Sequence, residues 1–372
     1  MRVLIVAAGS RGDVAPCTGL AARLRAAGHP VAIAAHSRFG PLVTATGTEF
    51  RPLPGDARTV LAAASLDPRA APAATRYLSR LSAGVADAIR PGVDVVLTGV
   101  VAAPLVRRLG VPVLQTFLQP AHPTREFAPP VTCVRTLGGP GNRAAWALQR
   151  WILESANRVR APDTGPTLYG YSPAMLDRPA DWRPDLRVVG YWWPQIPAGW
   201  RPPAGLAEFL AAGPPPVYIG LGSLSGSGAA RRFAVAAVAA ARRLGLRVVA
   251  TGAAPAPDVH PIADVPHQYL FPHVAAVLHH GGAGTTAAAL RAGVPQVPVP
   301  VQADQHLWAH RSVALGAAPA ALRLHRPTAT ALADALRAAV REPAYRDRAR
   351  ELADRLRAED GAAAVVEALE RL

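Results

Sequence analysis

The chain has 372 residues, 50% apolar, 17% charged and 6% aromatic, which allows two domains with sizeable cores and excludes a polar disordered chain. Only Cys17 and Cys133 occur, so no disulfide framework is expected and both thiols should be free and reduced. Forty basic against 25 acidic residues give a net charge of +15, which suits nucleic acid, an anionic membrane surface or a phosphorylated small molecule.

All forty basic residues are Arg. With 38 Pro and very frequent Ala, this reads as the coding bias of a GC-rich genome of the actinobacterial kind. It is not in itself a nucleic-acid signal. No RNA-binding aromatic motif, zinc finger or basic tail accompanies the charge.

The first nine residues hold one positive charge and a short apolar run, cut off by Ser10, Arg11 and Asp13. That is too short for a signal peptide and fits a buried strand over 2–8. The spacing then predicts a loop over 9–16, a helix over 17–27 stopped by Gly28, and a strand over 31–35. Short apolar runs at 93–98 and 111–115 follow Pro or Gly and read as further strands. The stretch 117–140 is irregular and Pro-rich. A helix is expected over 142–160, then strands near Leu168 and Val188.

Residues 194–216 are rich in Pro and Gly and form the linker candidate. A second series begins with a strand at 217–221, a helix at 231–244 and a strand at 246–251. The Ala-rich run 234–241 belongs to that helix. A strand at 274–279 leads into a glycine-rich turn and a helix at 285–292. A short strand at 297–299 and helices at 304–315, 329–340 and from 345 onward complete the chain. No run approaches the length of a membrane span, and no amphipathic anchor is evident. Alternating strands and helices argue for two doubly wound α/β domains, 1–196 and 214–372, joined by a linker over 197–213. The final helix is expected to pack back on the first domain. Such a pair leaves a cleft between the carboxyl ends of both sheets.

Two glycine-rich turns follow strands. Neither is a dinucleotide fingerprint, and without Lys no phosphate loop of the Gly-Lys-Ser/Thr kind is possible. In His279-His280-Gly281-Gly282-Ala283-Gly284-Thr285-Thr286, the glycines permit close backbone approach, and the helix start offers free amides to a diphosphate. A tight turn without a ligand is the plainer use of the same residues. His280 suits a hydrogen bond to a phosphate oxygen. His279 reads as a strand-end or surface residue. Zinc is not expected, since no Cys lies nearby and no His-Glu-x-x-His helix is present. In Gly220-Leu221-Gly222-Ser223, the Gly222 backbone and the Ser223 hydroxyl can approach the same phosphate from another side.

Together these pieces resemble the nucleotide-sugar-dependent glycosyltransferases of the GT-B fold. Within that family they are most similar to the bacterial antibiotic and natural-product enzymes and the related sterol glucosyltransferases. The likeness is carried by Gly9-Ser10-Arg11-Gly12-Asp13-Val14-x-Pro16, Val189-Gly190-Tyr191-Trp192 and Val217-Tyr218-Ile219-Gly220-Leu221-Gly222-Ser223. It continues in Val265-Pro266-His267-Gln268-Tyr269-Leu270-Phe271-Pro272, the 279–286 turn, Arg291-Ala292-Gly293-Val294-Pro295, Asp304-Gln305 and Glu359-Asp360-Gly361. Leu221 stands where Phe is more usual.

The resemblance implies an inverting, metal-independent transfer from a UDP- or TDP-sugar co-substrate to a hydroxyl of a hydrophobic aglycone, with no prosthetic group. Asp13 is implied as general base; a helix cap is its plainer use. His280, Gly281, Gly282, Ala283, Gly284 and Thr285, with Gly222 and Ser223, are implied to hold the diphosphate. Ser10, Arg11 and Gly12 are placed at the cleft, Val265 at the base, and Asp304 and Gln305 at the sugar hydroxyls. Ala303 precedes that pair where Gly, Asn or Thr is usual. Phe117, His122, Glu126, Phe127, Trp146 and Trp151 are candidates for an acceptor wall, each equally suited to the core. Trp192 and Trp193 are placed near the interdomain region.

The expected setting is cytoplasmic, as a monomer or weak homodimer, without stable membrane insertion or nucleic acid. A sterol or lipid glucosyltransferase is the alternative. A nucleotide-sugar epimerase and a non-catalytic activator remain further readings; the Ser-Arg-Gly-Asp opening and the Asp-Gln pair favour transfer.

Overall fold

The computed structural model describes residues 1–55, 71–89, 92–157, 165–222, 228–324 and 328–372. Two parallel sheets organise them. The first holds seven strands: β1 (Val3–Ala7), β2 (Val31–His36), β3 (Glu49–Leu53), β4 (Val95–Thr98), β5 (Val113–Phe117), β6 (Thr167–Tyr169) and β7 (Leu186–Val188), in the order β3-β2-β1-β4-β5-β6-β7. The second holds β8 (Val217–Gly220), β9 (Val248–Thr251), β10 (Val259–Ile262), β11 (Ala276–His279) and β12 (Gln296–Pro298), in the order β10-β9-β8-β11-β12.

Each sheet starts in its middle, builds outward to one edge, then returns to the other side. The order reverses between β1 and β4, and again between β8 and β11. These are the topological switch points where doubly wound folds place ligands. Every residue of β1, β2, β4, β8 and β11 is buried. That explains their unbroken apolar runs, because helices cover both sheet faces.

Nine longer helices matter for the site: α1 (Arg11–Ala26), α2 (Ala71–Ile89), α3 (Gly138–Asn157), α4 (Gly228–Arg243), α5 (Ala283–Arg291), α6 (Gln305–Ala314), α7 (Ala329–Arg341), α8 (Pro343–Arg357) and α9 (Gly361–Glu370).

The expected loop over 9–16 is a correction. Helix α1 starts at Arg11, six residues before the predicted position. Ser10 is its N-cap and closes a capping box with Asp13, while Pro16 sits inside the helix. Pro16 removes one backbone donor, but the cap and the burial of Val14, Cys17, Leu20, Ala21 and Leu24 outweigh it. Helix α3 also starts earlier than the pattern suggested, at Gly138, ahead of Pro140. The predicted linker contains a short helix, Leu206–Ala211, whose Leu206 is buried with Tyr218, Leu270 and Phe271.

The two halves meet along an apolar seam. Tyr171 lies against Trp308, with ring centroids 5.5 Å apart. Arg311 Nε donates to the Met175 carbonyl at 2.7 Å, and the Arg291 guanidinium sits 4.2 Å above the Trp193 ring. Gln268 Nε2 donates to the Pro194 carbonyl at 2.7 Å. The chain end also crosses back: α9 packs against α1, and the Trp192 indole donates to the Gly361 carbonyl at 3.1 Å.

Candidate active site

The loop after β1 opens the site. Its last residues turn into α1, so Ser10, Arg11, Gly12 and Asp13 stand at the carboxyl end of the first sheet. Asp13 is the third residue of α1 and not a loop residue. Its Oδ2 accepts from the Ser10 backbone N–H at 2.6 Å and from the Ser10 hydroxyl at 2.9 Å. The Ser10 Oγ accepts in turn from the Gly12 N–H at 3.2 Å. This fold-back needs Gly9, because a Cβ there would stand 2.2 Å from Asp13 Oδ2.

Asp13 is exposed to solvent, although protein atoms of both halves crowd its carboxyl. Desolvation raises its pKa above the ordinary aspartate value; the Ser10 hydrogen bonds and, more weakly, the charge of His36 pull it down. His36 ends β2 beside the same loop, is 1% exposed, and shares a 3.1 Å hydrogen bond with the Tyr77 hydroxyl.

The second sheet answers from across the cleft. Arg11 Nη1 pairs with Asp264 Oδ2 at 2.8 Å, just ahead of Val265 and the helical turn His267–Leu270. Val265 is buried, and His267 stacks on Phe271 with centroids 4.3 Å apart. Burial pushes His267 down to about 3, helped by the charges of Arg11 and His280.

Behind them, His280 lies between the two glycine turns. A Cβ on Gly222 would meet its Cε1 at 2.7 Å, and one on Gly282 would meet its Nε2 at 2.4 Å. Its Nδ1 is buried with no partner, and burial pushes its pKa down to about 4. His280 is therefore a neutral ring near pH 7. Such a ring can hydrogen-bond but carries no charge.

His279 is the last residue of β11, the strand-end alternative of its sequence reading. It is fully buried and not a surface residue. Its Nε2 meets Gln296 Oε1 at 2.7 Å, and its Nδ1 accepts from the Gly281 N–H at 3.1 Å. It thereby fixes the turn that carries His280.

Gly282 caps α5, which begins at Ala283, and Gly284 at its first turn is exposed. The amides of Ala283, Gly284 and Thr285 have no partner within the helix, and the helix dipole adds positive potential there. Gly281 adopts φ +79°, and a Cβ there would stand 2.9 Å from the Gln305 carbonyl.

Asp304 precedes α6, and its Oδ2 accepts from the Trp308 indole at 2.7 Å. Burial pushes it up to about 6; the Trp308 bond pulls it down, and the charge of Asp13 raises it further. The Asp13 effect brings carboxylates of the two halves to one site. Gln305 is more committed than its sequence suggests. Its Oε1 accepts from the N–H groups of Val301 and Gln302 at 2.9 and 3.1 Å, so only its amide nitrogen is left for a ligand. Ala303 is held at φ 50°, a left-handed conformation that costs a non-glycine residue roughly 1–2 kcal/mol.

The family described as "Erythromycin biosynthesis protein CIII-like, C-terminal domain" matches residues 243–372. The "Glycosyltransferase family 28 N-terminal domain" matches residues 3–106. An O-mycaminosyltylonolide 6-deoxyallosyltransferase of Streptomyces fradiae is 37% identical, across 97% of this chain and 95% of that protein. The chain belongs to the GT-B glycosyltransferases. A sterol 3-beta-glucosyltransferase of Arabidopsis thaliana, UGT80B1, is 30% identical, over 100% of this chain and 68% of its own length.

Among solved structures, the Streptomyces sp. SF2575 glycosyltransferase SsfS6 complexed with thymidine diphosphate aligns at TM-score 0.70, covering 100% of both chains at 22% identity. The spinosyn rhamnosyltransferase SpnG complexed with spinosyn aglycone aligns at 0.72, again over 100% of both, at 21% identity. These two show the shared fold. The enzyme class is that of nucleotide-sugar-dependent hexosyltransferases.

Most residues expected at the glycosyltransferase site lie around one cleft: Ser10 to Asp13, Gly222, Val265, His280 to Thr285, Asp304 and Gln305. Ser223 lies outside the described residues. Most of the acceptor-wall candidates gather in one buried cluster, and Trp151 lies apart. Phe117, His122, Phe127 and Trp146 are buried. His122 bonds the Tyr169 hydroxyl, and the Trp146 indole donates to the Phe127 carbonyl at 3.0 Å. Glu126 accepts from the Ala180 N–H at 2.7 Å. Trp151 is 65% exposed on the outer face of α3 and lines no wall.

Sequence reading missed His36, Asp264 and Trp308. Trp308 was within reach, since it stands four residues after Asp304, where helical side chains meet. His36 had a weaker signal, a polar residue ending an apolar strand. Asp264 had none.

Proposed function

We propose that this glycosyltransferase is an inverting enzyme with Asp13 as its general base. The carrying observation is the place of the Asp13 carboxyl at the start of α1, held by Ser10 and near enough to Asp304 of the other half for its charge to be felt there. An acceptor hydroxyl gives its proton to Asp13, and its oxygen attacks the anomeric carbon. The bond from that carbon to the diphosphate oxygen breaks on the opposite face, so configuration inverts. The electron pair leaves with the nucleoside diphosphate. The α5 amides and a neutral His280 donate hydrogen bonds to its oxygens. Asp304 and the Gln305 amide nitrogen bind sugar hydroxyls.

The displacement as written needs no divalent metal. The sequence has no Asp-x-Asp pair. Among the described residues, no group of three or more His, Cys, Asp or Glu is placed to hold a metal.

The donor is a TDP- or UDP-sugar, and the acceptor a hydrophobic natural-product aglycone. The Streptomyces relative's name supports a deoxyhexose and a macrolide-type acceptor. The Arabidopsis relative supports a second reading, glucose transfer to a sterol. Transfer assays with TDP-deoxysugars and UDP-glucose against polyketide aglycones and a sterol separate the two. Asp13→Asn should keep diphosphate binding and lower transfer by about 10²–10⁴-fold. Unchanged turnover in that variant removes Asp13 from the mechanism.

A further inference from the structure

The chain segment that joins the halves is gripped from both sides. On the donor side, Gln268 holds the Pro194 carbonyl through its Nε2 at 2.7 Å, and Arg291, at the end of α5, covers the Trp193 ring. On the other side lies α1. The backbone N–H of Gln195, the residue after Pro194, donates to Thr18 Oγ1 at 3.0 Å. Thr18 is fully buried, and its hydroxyl donates to the Ala15 carbonyl of the same helix at 2.7 Å. Gly19 lets the segment lie flat on α1, because a Cβ there would run into the Trp193 carbonyl oxygen.

Pro194 and Gln195 thus join two parts of the site that come from different halves. Gln268 stands in the turn that follows Val265, the residue that the family likeness sets at the donor base. Thr18 lies about a turn and a half beyond Asp13 on α1. A packed helix moves as one body, so a shift at Thr18 is passed on to Asp13. The Arg11–Asp264 pair spans the same two parts at the mouth, but its side chains are 48% and 62% exposed, and such pairs hold geometry weakly. The route through Pro194 is better shielded: Gln268, Pro194 and Gln195 are half-buried and Thr18 wholly so.

We propose, on the reading of Asp13 as general base, that Gln268 is a positioning residue for transfer. Through Pro194, Gln195 and Thr18 it sets where the Asp13 carboxyl stands relative to the donor. Without it the glycine turns and the α5 amides still hold the diphosphate, but α1 is free to carry the base off the line of attack. A misplacement of about 1 Å near the reacting atoms costs about 100-fold. Helix α1 also touches α5 directly, so the loss here is partial.

The test uses the full chain and the donor and acceptor that turn over in the transfer assays. Gln268→Leu removes the donating group and keeps much of the bulk. Thr18→Val removes the accepting oxygen and keeps the shape. Each should lower kcat about tenfold, while donor KM and the Kd of thymidine and uridine diphosphate, read by calorimetry, stay within about twofold of wild type. The double variant should lose no more than either single one, because both cuts fall on one chain of contacts. Circular dichroism melts establish that each variant is folded. Gln268→Glu, which sets an acceptor against the Pro194 carbonyl in the same shape, should lower kcat at least as far and serves if Gln268→Leu does not fold. Wild-type kcat in the folded Gln268 variant, a loss confined to donor KM and diphosphate Kd, or losses that multiply in the double variant each overturn the proposal. Asp13→Asn keeps the two readings apart: an inactive Asp13→Asn beside a fully active Gln268→Leu overturns the positioning role alone, whereas an active Asp13→Asn overturns the base and the positioning role with it.

Discussion

Gly9 lies directly against the Asp13 carboxyl: a methyl group on its Cα would stand 2.2 Å from Oδ2 and 2.5 Å from Cγ. The Asp13 carboxyl, our proposed general base, is thus held by a backbone with no side chain under it. Gly9→Ala must push the carboxyl aside. We expect kcat to fall about 10–100-fold, since small misplacements near the reacting atoms are costly. Overpacking should lower stability by about 1–3 kcal/mol. Steady-state kinetics and a denaturant melt check both; near-wild-type kcat would contradict the fold-back.

Ser10→Ala separates the cap from the base. It removes the hydroxyl bond that pulls the Asp13 pKa down and leaves the backbone bond in place. The Asp13 pKa should rise further, so the acid limb of the kcat/KM profile moves to higher pH. Loss of the N-cap should cost about 1 kcal/mol. An acid limb at the same or lower pH would contradict the assignment.

Asp304 gives a pH-dependent stability difference. Its pKa is pushed up to about 6 from an ordinary value of 3.8. The folded chain then holds a proton that the unfolded chain releases, so this group's ionisation opposes folding above about 6. Asp304→Asn removes that penalty and keeps an acceptor for the Trp308 indole. Its melting temperature relative to wild type should be most favourable at pH 8. The advantage should shrink as pH falls through about 6 and vanish near 4. A constant difference across this range would show that burial does not perturb the group.

Ala303→Gly should stabilise. Ala303 sits at φ 50°, where glycine carries no Cβ penalty. A gain of about 1 kcal/mol in a urea melt is expected, with Ala303→Val lower than wild type. Because residue 303 leads into Asp304, the same pair of variants reports whether relief of strain alters the donor KM.

Much of the fold was legible because its strands are buried on both faces. Runs such as Val3–Ala7 and Val217–Gly220 announce themselves by continuous apolar character. The glycine turns were legible for a related reason, since a backbone that must approach a ligand or a ring excludes side chains. The start of α1 was not. Pro16 argues locally against a helix, and only the capping box with its buried face overrides it. That His279 is buried as well as strand-ending was not legible, because its partner Gln296 is brought close only by the pairing of β11 with β12. Between wall and core, the sequence could not choose for a simpler reason. Aromatic residues in sequence do not say which face of a helix is inside, and Trp146 and Trp151 lie on opposite ones.

The return of α9 has a mechanical consequence. Both passages of the chain between the halves run close together. A Cβ on Gly361 would stand 2.2 Å from the Gly190 carbonyl, and Ser172 Oγ donates to Glu359 Oε1 at 2.5 Å. Two tethers at one spot act as a pivot. Opening the cleft must swing its mouth, where Arg11 meets Asp264, about a nearly stationary heel. For any rotation about that heel, the Arg11–Asp264 pair at the mouth has a longer lever than the contacts beside Gly190 and Gly361.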